Sequence, residues 1–203
     1  MKSLLLSVTL LILLANCSGK NAKKDELFNK SDIFWYQKII KDVKLDSLDK
    51  ADEDYTSLAS EHVASPLLKE ALMILAKAHM KNEEYLMANY YIDEYIKRYA
   101  TKSNISYLEF LKIKSNFQSF KRLNRDQKLL LDTINSSNQF LKRYQNSPYT
   151  PEVQTILTRL YLANRVLNEN IVKLYKKTGK LKSAKIYEQK IKNSWLNNIK
   201  IKE

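Results

Sequence analysis

The sequence predicts an all-α protein of stacked helix pairs, and three observations predict it. The 203 residues hold only two glycines and three prolines, too few turn formers for many short strands. From residue 33 to residue 191, apolar residues recur at three- and four-residue spacing, the period of helices that bury one face. A small residue flanked by large apolar ones also recurs, at Ala51, Ala88, Thr133 and Ala184, as one helix needs if another is to nest against it. With 44% hydrophobic residues the chain can bury a core, and its length suits one domain or a short repeat array.

The first element is not part of that array. Lys2 precedes an apolar run over residues 4–14 that is broken only by Ser7 and Thr9. Such a run is a secretory signal, too short to cross a bilayer comfortably. Leu14-Ala15-Asn16-Cys17 resembles a bacterial lipobox, with Asn16 where Gly or Ala is usual. The resemblance implies a signal peptide over 1–16, acylation of Cys17 and anchoring by several acyl chains, since one alone holds weakly. Ser18 after the cysteine implies sorting to the outer membrane, on its periplasmic face. Cys17 is the chain's single cysteine, so no internal disulfide is expected. Residues 17–30 then read as a lipidated, polar tether carrying Lys20, Lys23, Lys24, Asp25 and Glu26.

Eight helices follow. Ser31 and Asp32 are suited to cap the first, with Ile33, Phe34, Tyr36, Ile39 and Ile40 as its apolar residues. Ser47 precedes the second, whose stripe is Leu48, Ala51, Tyr55 and Leu58. Ser65-Pro66 opens the third, with Leu68, Leu72, Leu75, Ala76 and His79 on one face. Tyr85, Ala88, Ile92, Tyr95 and Tyr99 mark the fourth. Ser103 or Asn104 caps the fifth, bearing Tyr107, Leu108, Leu111, Ser115 and Phe117. Asp126 caps the sixth, bearing Leu130, Thr133, Phe140, Leu141 and Tyr144. Thr150-Pro151 opens a long seventh helix, and Gly179 suits the left-handed position that ends it. Leu181, Ala184, Tyr187 and Ile191 define the eighth.

The small-residue pattern resembles the tetratricopeptide repeat, a helix–turn–helix unit of about 34 residues. The spacings between successive small residues here are 37, 45 and 51, so helices or loops are lengthened. The resemblance gives one repeat domain over 31–203, with about four repeats at 31–64, 65–102, 103–147 and 150–195. A plain antiparallel bundle is the alternative. Stacked pairs form a superhelix with an extended face that suits peptides or partner domains and needs no catalytic group. The 13 tyrosines serve mostly as packing, with Tyr36, Tyr90 and Tyr91 the better choices for an exposed groove.

In the third repeat the resemblance sharpens. Arg125-Asp126, then Phe140-Leu141-Lys142-Arg143-Tyr144-Gln145-Asn146-Ser147-Pro148-Tyr149, resembles the BamD family of β-barrel assembly lipoproteins. Tyr144, Ser147 and Tyr149 match that family's turn, and Gln145 stands for its proline. Asn104-Ile105-Ser106-Tyr107 upstream and Leu174-Tyr175 with Gly179 downstream are similar too. The family has five repeats, so contacts carried by a fifth are not expected here. Asn168, beside Glu169, stands where the family has an acidic residue.

The resemblance implies a scaffold that helps fold and insert β-barrel proteins, binding unfolded substrate segments through its first repeats and a BamA-like protein through its last. Predicted exposure and charge assign Tyr36, Lys38, Tyr55, Tyr90 and Tyr91 to the substrate groove. They assign Arg159, Lys173, Lys176, Lys177, Lys180 and Lys182 to the partner face. Beyond the lipid on Cys17, no cofactor or metal is implied. An unrelated tetratricopeptide lipoprotein serving peptidoglycan or secretion machinery is the alternative.

Loss of Lys2 with the signal leaves 34 of the 35 Lys and Arg against 22 Asp and Glu, a formal charge of +12. Basic clusters at Lys112 and Lys114, Lys121 and Arg122, Lys142 and Arg143, and over 173–185 read as solvated faces or as attraction to acidic lipid or protein. Export and the lack of a matching motif argue against nucleic acid. Catalysis is not expected. His62 and His79 lack metal-ligand spacing, and two glycines cannot make a phosphate loop. Asp49, Asp52, Glu53 and Asp54 lack calcium-loop spacing, and Glu152 and Glu169 have no obvious second carboxylate for glycoside chemistry. A murein lytic enzyme would need a further catalytic domain.

Overall fold

The computed structural model describes residues 29–120 and 126–194. The signal, Cys17 and the tether up to residue 28 lie outside the described residues, as do Lys121 and Arg122. The described chain is all-helical: α1 (Asp32–Lys44), α2 (Leu48–Glu61), α3 (Leu67–Lys81), α4 (Tyr85–Tyr99), α5 (Ile105–Gln118), α6 (Gln127–Arg143), α7 (Thr150–Lys177) and α8 (Leu181–Lys192). Each helix packs against the next. In addition α1 packs directly on α3 and α5 on α7, so helix pairs stack on one another.

The small residues do what their pattern requires. Ala51 and Ala88 are fully buried and Ala184 nearly so, each where a neighbouring helix approaches. The degenerate copy in α6 works by a different route. Thr133 and Ser137 are also fully buried, and their hydroxyls donate to the carbonyls of Leu129 and Thr133 at 2.7 and 2.8 Å. Bonding back to their own helix makes polar residues acceptable as small packing groups.

The helix ends follow local chemistry. Asp126 caps α6 by accepting from the Leu129 N–H at 2.9 Å. Ser65 accepts from the Leu67 N–H at 3.2 Å and donates to Asp32 at 2.7 Å, tying the start of α3 to the start of α1. Ser47 makes no side-chain cap bond. Asn104 turns back instead, accepting from the Thr101 N–H at 2.7 Å and closing the preceding loop. Pro151 sits in the first turn of α7, which runs unbroken for 28 residues, roughly 42 Å at the usual rise.

Three of the helix pairs close with the same turn. After α1, α3 and α7 the chain places Asp46, Glu83 and Gly179 in the left-handed region, at φ of 59°, 61° and 72°. In each, the next N–H reaches back across the turn: Ser47 to Asp42, Glu84 to His79 and Lys180 to Tyr175, all at 2.9 Å. Asn82 donates to Asp46 at 2.6 Å, joining the first two turns side by side. A Cβ at Gly179 would meet nothing within 4 Å, so only the dihedral matters. Gly179→Ala should therefore cost about 1 kcal/mol, and Glu83→Gly should gain somewhat less. Thermal denaturation of the two variants would show opposite shifts.

The buried side chains form two clusters. One joins Trp35, Ile39, Tyr55, Leu58, Leu72 and Ile92 across α1 to α5. The other joins Phe110, Leu130, Phe140, Val153 and Leu160 across α5 to α7. Tyr107 on α5 packs against both.

Three expected core residues face out. Ile33 and Phe34 are exposed, because the buried line of α1 runs Trp35, Ile39, Asp42 and leaves their side of the helix uncovered. Leu181, the first residue of α8, is 60% exposed, since the turn at Gly179 sets it beyond the covered part of α7.

Candidate protein-binding surfaces

The predicted groove residues separate into two kinds. Tyr90 stands 52% exposed on α4, and Tyr36 and Lys38 are half-buried on α1. Tyr55 and Tyr91 are buried, which corrects the predicted exposure that assigned both to the groove. The reason is a histidine. His79 lies at 1% exposure between α2 and α4, with both ring nitrogens engaged. Nδ1 meets Glu84 at 2.5 Å and Nε2 meets Asp52 at 3.0 Å. Tyr91 stacks on the imidazole at 5.5 Å and donates its hydroxyl to the same Asp52 oxygen at 2.6 Å. Tyr55 meets the edge of Tyr91 at 5.5 Å.

Two carboxylates on one imidazole decide its charge. Burial alone pulls the His79 pKa down, but the hydrogen bonds from Asp52 and Glu84 outweigh it and hold the value above 6.5. His79 is thus the packed core histidine that the sequence pattern indicates, and its two carboxylate partners from α2 and the start of α4 favour its charged form. Burial pushes the Tyr55 hydroxyl up to about 12 and Tyr91 further still, so both stay neutral donors.

Lys38 serves a second buried group. Its ammonium bonds Asp54 on α2 and lies 3.9 Å from Asp42 on its own helix. Asp54 is buried and its second carboxylate oxygen finds no partner. Burial raises its pKa, opposed by the lysine and supported by Asp42. Lys38 is therefore tied to a structural role as well as lying at the surface.

The residues assigned to the partner face, Arg159, Lys173, Lys176, Lys177, Lys180 and Lys182, are all exposed along α7 and the start of α8. Lys176 pairs with Glu188 at 2.6 Å. Leu162, Val166, Leu174, Leu181 and Ile186 on the same two helices are exposed as well. The surface is basic and apolar together. Other basic residues are neutralised locally: Lys112 by Asp93 at 2.5 Å, Lys114 by Glu152 at 2.9 Å and Arg143 by Glu109 at 2.6 Å.

Among the described residues, two clefts bear on these surfaces. One, of about 560 Å³, lies where the start of α4 meets the end of α5 and is lined by Glu83, Tyr85, Leu86, Met87 and Phe120. Leu86 there is 88% exposed. The other, of about 420 Å³, lies among α6, α7 and α8 and is lined mainly by amides and cations. Among the described residues no group of three His, Cys, Asp or Glu could hold a metal, and no helix is long and apolar enough to cross a membrane.

The segment that carries the sequence resemblance joins α5, α6 and α7. Tyr149 stacks on Phe110 at 4.7 Å, and Tyr144 donates to Glu109 at 3.1 Å. Ser147 accepts from the Tyr149 N–H at 3.3 Å, and Thr150 donates to the Tyr144 carbonyl at 2.9 Å. Residues 29–194 match the model of the YfiO family, described as outer membrane lipoprotein. The chain belongs to the YfiO family. Within it, the chain is similar to the outer membrane protein assembly factor BamD of Helicobacter pylori (strain ATCC 700392 / 26695). The two are 41% identical over 188 residues, covering 93% of this chain and 85% of that protein.

The YfiO match spans every described helix, so the turn at 144–149 is a framework feature of a family member and closes α6 onto its neighbours. Sequence reasoning missed Trp35, whose indole donates to Glu61 at 2.8 Å, and missed Leu86 and Met87 as exposed apolar groups. The signal for Trp35 was present, since Trp35 and Ile39 lie four apart. Nothing local distinguishes Leu86 from a core leucine.

Proposed function

We propose that this lipoprotein is an assembly factor for outer-membrane β-barrel proteins and acts as a non-catalytic scaffold. The observation that carries the reading is the 41% identity, over nearly the whole chain, to a protein described as an outer membrane protein assembly factor. In this reading Cys17 bears the lipid, and the helical domain stands on the periplasmic face. The first two helix pairs receive unfolded barrel segments. Exposed Tyr90 and the Leu86–Met87 edge support that role, with Tyr36 and Lys38 beside them and Tyr55 and Tyr91 as the buried backing. The last pair holds a BamA-like protein through Arg159, Lys173, Lys176, Lys177, Lys180 and Lys182. The exposed apolar residues on the same two helices support a partner rather than solvent.

A pull-down from detergent-solubilised membranes tests the reading. Recovery of a BamA-like barrel protein is expected. Depletion of the chain that leaves porin-type barrels correctly inserted would sink it. For the anchor, Cys17→Ala should move the protein from the membrane to the soluble fraction and abolish labelling by radioactive palmitate. A variant that stays on the membrane and still takes up label would remove the lipid from the account.

A further inference from the structure

We propose that the outward face of α1 rests on the bilayer surface and binds anionic phospholipid headgroups, so that the first helix as well as the lipid holds the chain to the membrane. The inference rests on the reading of the chain as a lipoprotein anchored at Cys17, which the Cys17→Ala experiment tests on its own.

The face is defined by what α1 covers. Its buried line, Trp35, Ile39 and Asp42, is turned toward α2 and α3. At 3.6 residues per turn the opposite arc is about 140° wide and about 18 Å long. It holds four large apolar residues, Ile33, Phe34, Ile40 and Leu45, together with Gln37, Lys41 and Lys44. Ile33 and Leu45 are 57% and 63% exposed, and Ile40 alone of the seven is half-buried. No carboxylate stands on the arc, in a chain that has 22 Asp and Glu. Lys41 and Lys44 form no ion pair among the described residues, whereas Lys112, Lys114 and Arg143 are each neutralised by a neighbour.

A solvated face would not be built so. The end helix of a stacked array ordinarily turns a polar side outward, because no further repeat covers it. Apolar side chains mixed with unpaired lysines are instead the make-up of a helix that lies in a membrane interface. The apolar groups sit between the headgroups and the ammoniums meet the phosphates. The anchor selects that partner. α1 starts 15 residues after Cys17, so even fully stretched the two are at most about 50 Å apart. Lys20, Lys23 and Lys24 between them add attraction to an anionic surface. A second copy fits less well, since its α1 would bring two more lysines to the face and no counter-charge. Tyr36 and Lys38 flank the arc and lie outside it, so the groove assigned to α1–α4 stays open.

The test uses the full mature chain. In its lipidated form Cys17 has no free thiol, so Gln37→Cys can carry a single nitrobenzoxadiazole label at the centre of the arc. Leu86→Cys on α4 is the control. In vesicles of three parts phosphatidylethanolamine to one part phosphatidylglycerol, emission from position 37 should shift to the blue and be quenched by doxyl-labelled lipid. Position 86 should show neither. The unlipidated chain, carrying Cys17→Ser, should co-sediment with phosphatidylglycerol vesicles and not with phosphatidylcholine ones. Lys41→Gln with Lys44→Gln should weaken that binding about tenfold, and so should Ile33→Ser with Leu45→Ser. No blue shift at 37, an equal one at 86, a shift that grows with protein density at fixed lipid, or vesicle binding untouched by both pairs of substitutions would each overturn the proposal. The sedimentation arm contains no acyl chain, so it stands even if Cys17 proves to carry none. The labelled chain keeps all four of those residues, so poor folding of a variant does not protect the idea.

Discussion

Phe140→Ala is expected to cost about 3–5 kcal/mol and to unfold the carboxy-terminal helices before the amino-terminal ones. Phe140 is fully buried, lies 5.1 Å from the ring of Tyr144, and belongs to the cluster of Leu130, Val153 and Leu160. Deleting its ring removes apolar burial and leaves a cavity that α5, α6 and α7 cannot all close. The other cluster touches this one mainly through Tyr107, so little of the loss is transmitted across α5. Trp35 makes the split measurable, because it reports from the amino-terminal cluster. In a Trp195→Phe background, urea titration of Phe140→Ala should show ellipticity falling before Trp35 fluorescence changes. Coincident curves would mean that both clusters unfold as one unit.

His79→Ala should have the second largest effect, about 2–4 kcal/mol at pH 6. The substitution empties a buried site and also leaves Asp52 and Glu84 without the imidazole between them. The sign of the pH dependence follows from the raised pKa. The histidine's contribution is complete below its ordinary value of 6.5 and is lost as pH rises through the higher folded value. The stability gap between parent and variant should therefore narrow as the medium turns alkaline. Denaturant melts of both proteins from pH 5.5 to 9 would check it, and a constant gap would show that packing alone accounts for the loss.

These two residues also show where the sequence was readable. Phe140 lies ten residues after Leu130 on a helical stripe, and the small residues Thr133 and Ser137 lie between them, so its burial follows from periodicity alone. Gly179 announces its turn because glycine is at home at positive φ. Glu83 gives no such signal: its side chain has no preference for that region, and the turn forms because α3 and α4 are packed on either side. His79 was legible as a core residue but not as a clamp, since its partners lie 27 and 5 residues away and no period connects them. Tyr91 was misread for the same reason. A polar tip that finds a carboxylate across the domain can be buried where pattern alone suggests solvent.

Asp54, buried with one carboxylate oxygen unpaired, links the fold to pH. A carboxyl group whose pKa is raised by burial weakens the fold while ionised, and the penalty fades as pH falls through that value toward 3.8. His79 likewise holds its proton more tightly when the chain is folded. Asp32, held low by the Ser65 hydroxyl, works the other way and loses its contribution only below the ordinary carboxylate range. Acidification should therefore relieve the cost at Asp54 while keeping the contribution of His79, so α1 to α4 carry opposing responses to pH at Asp32 and Asp54.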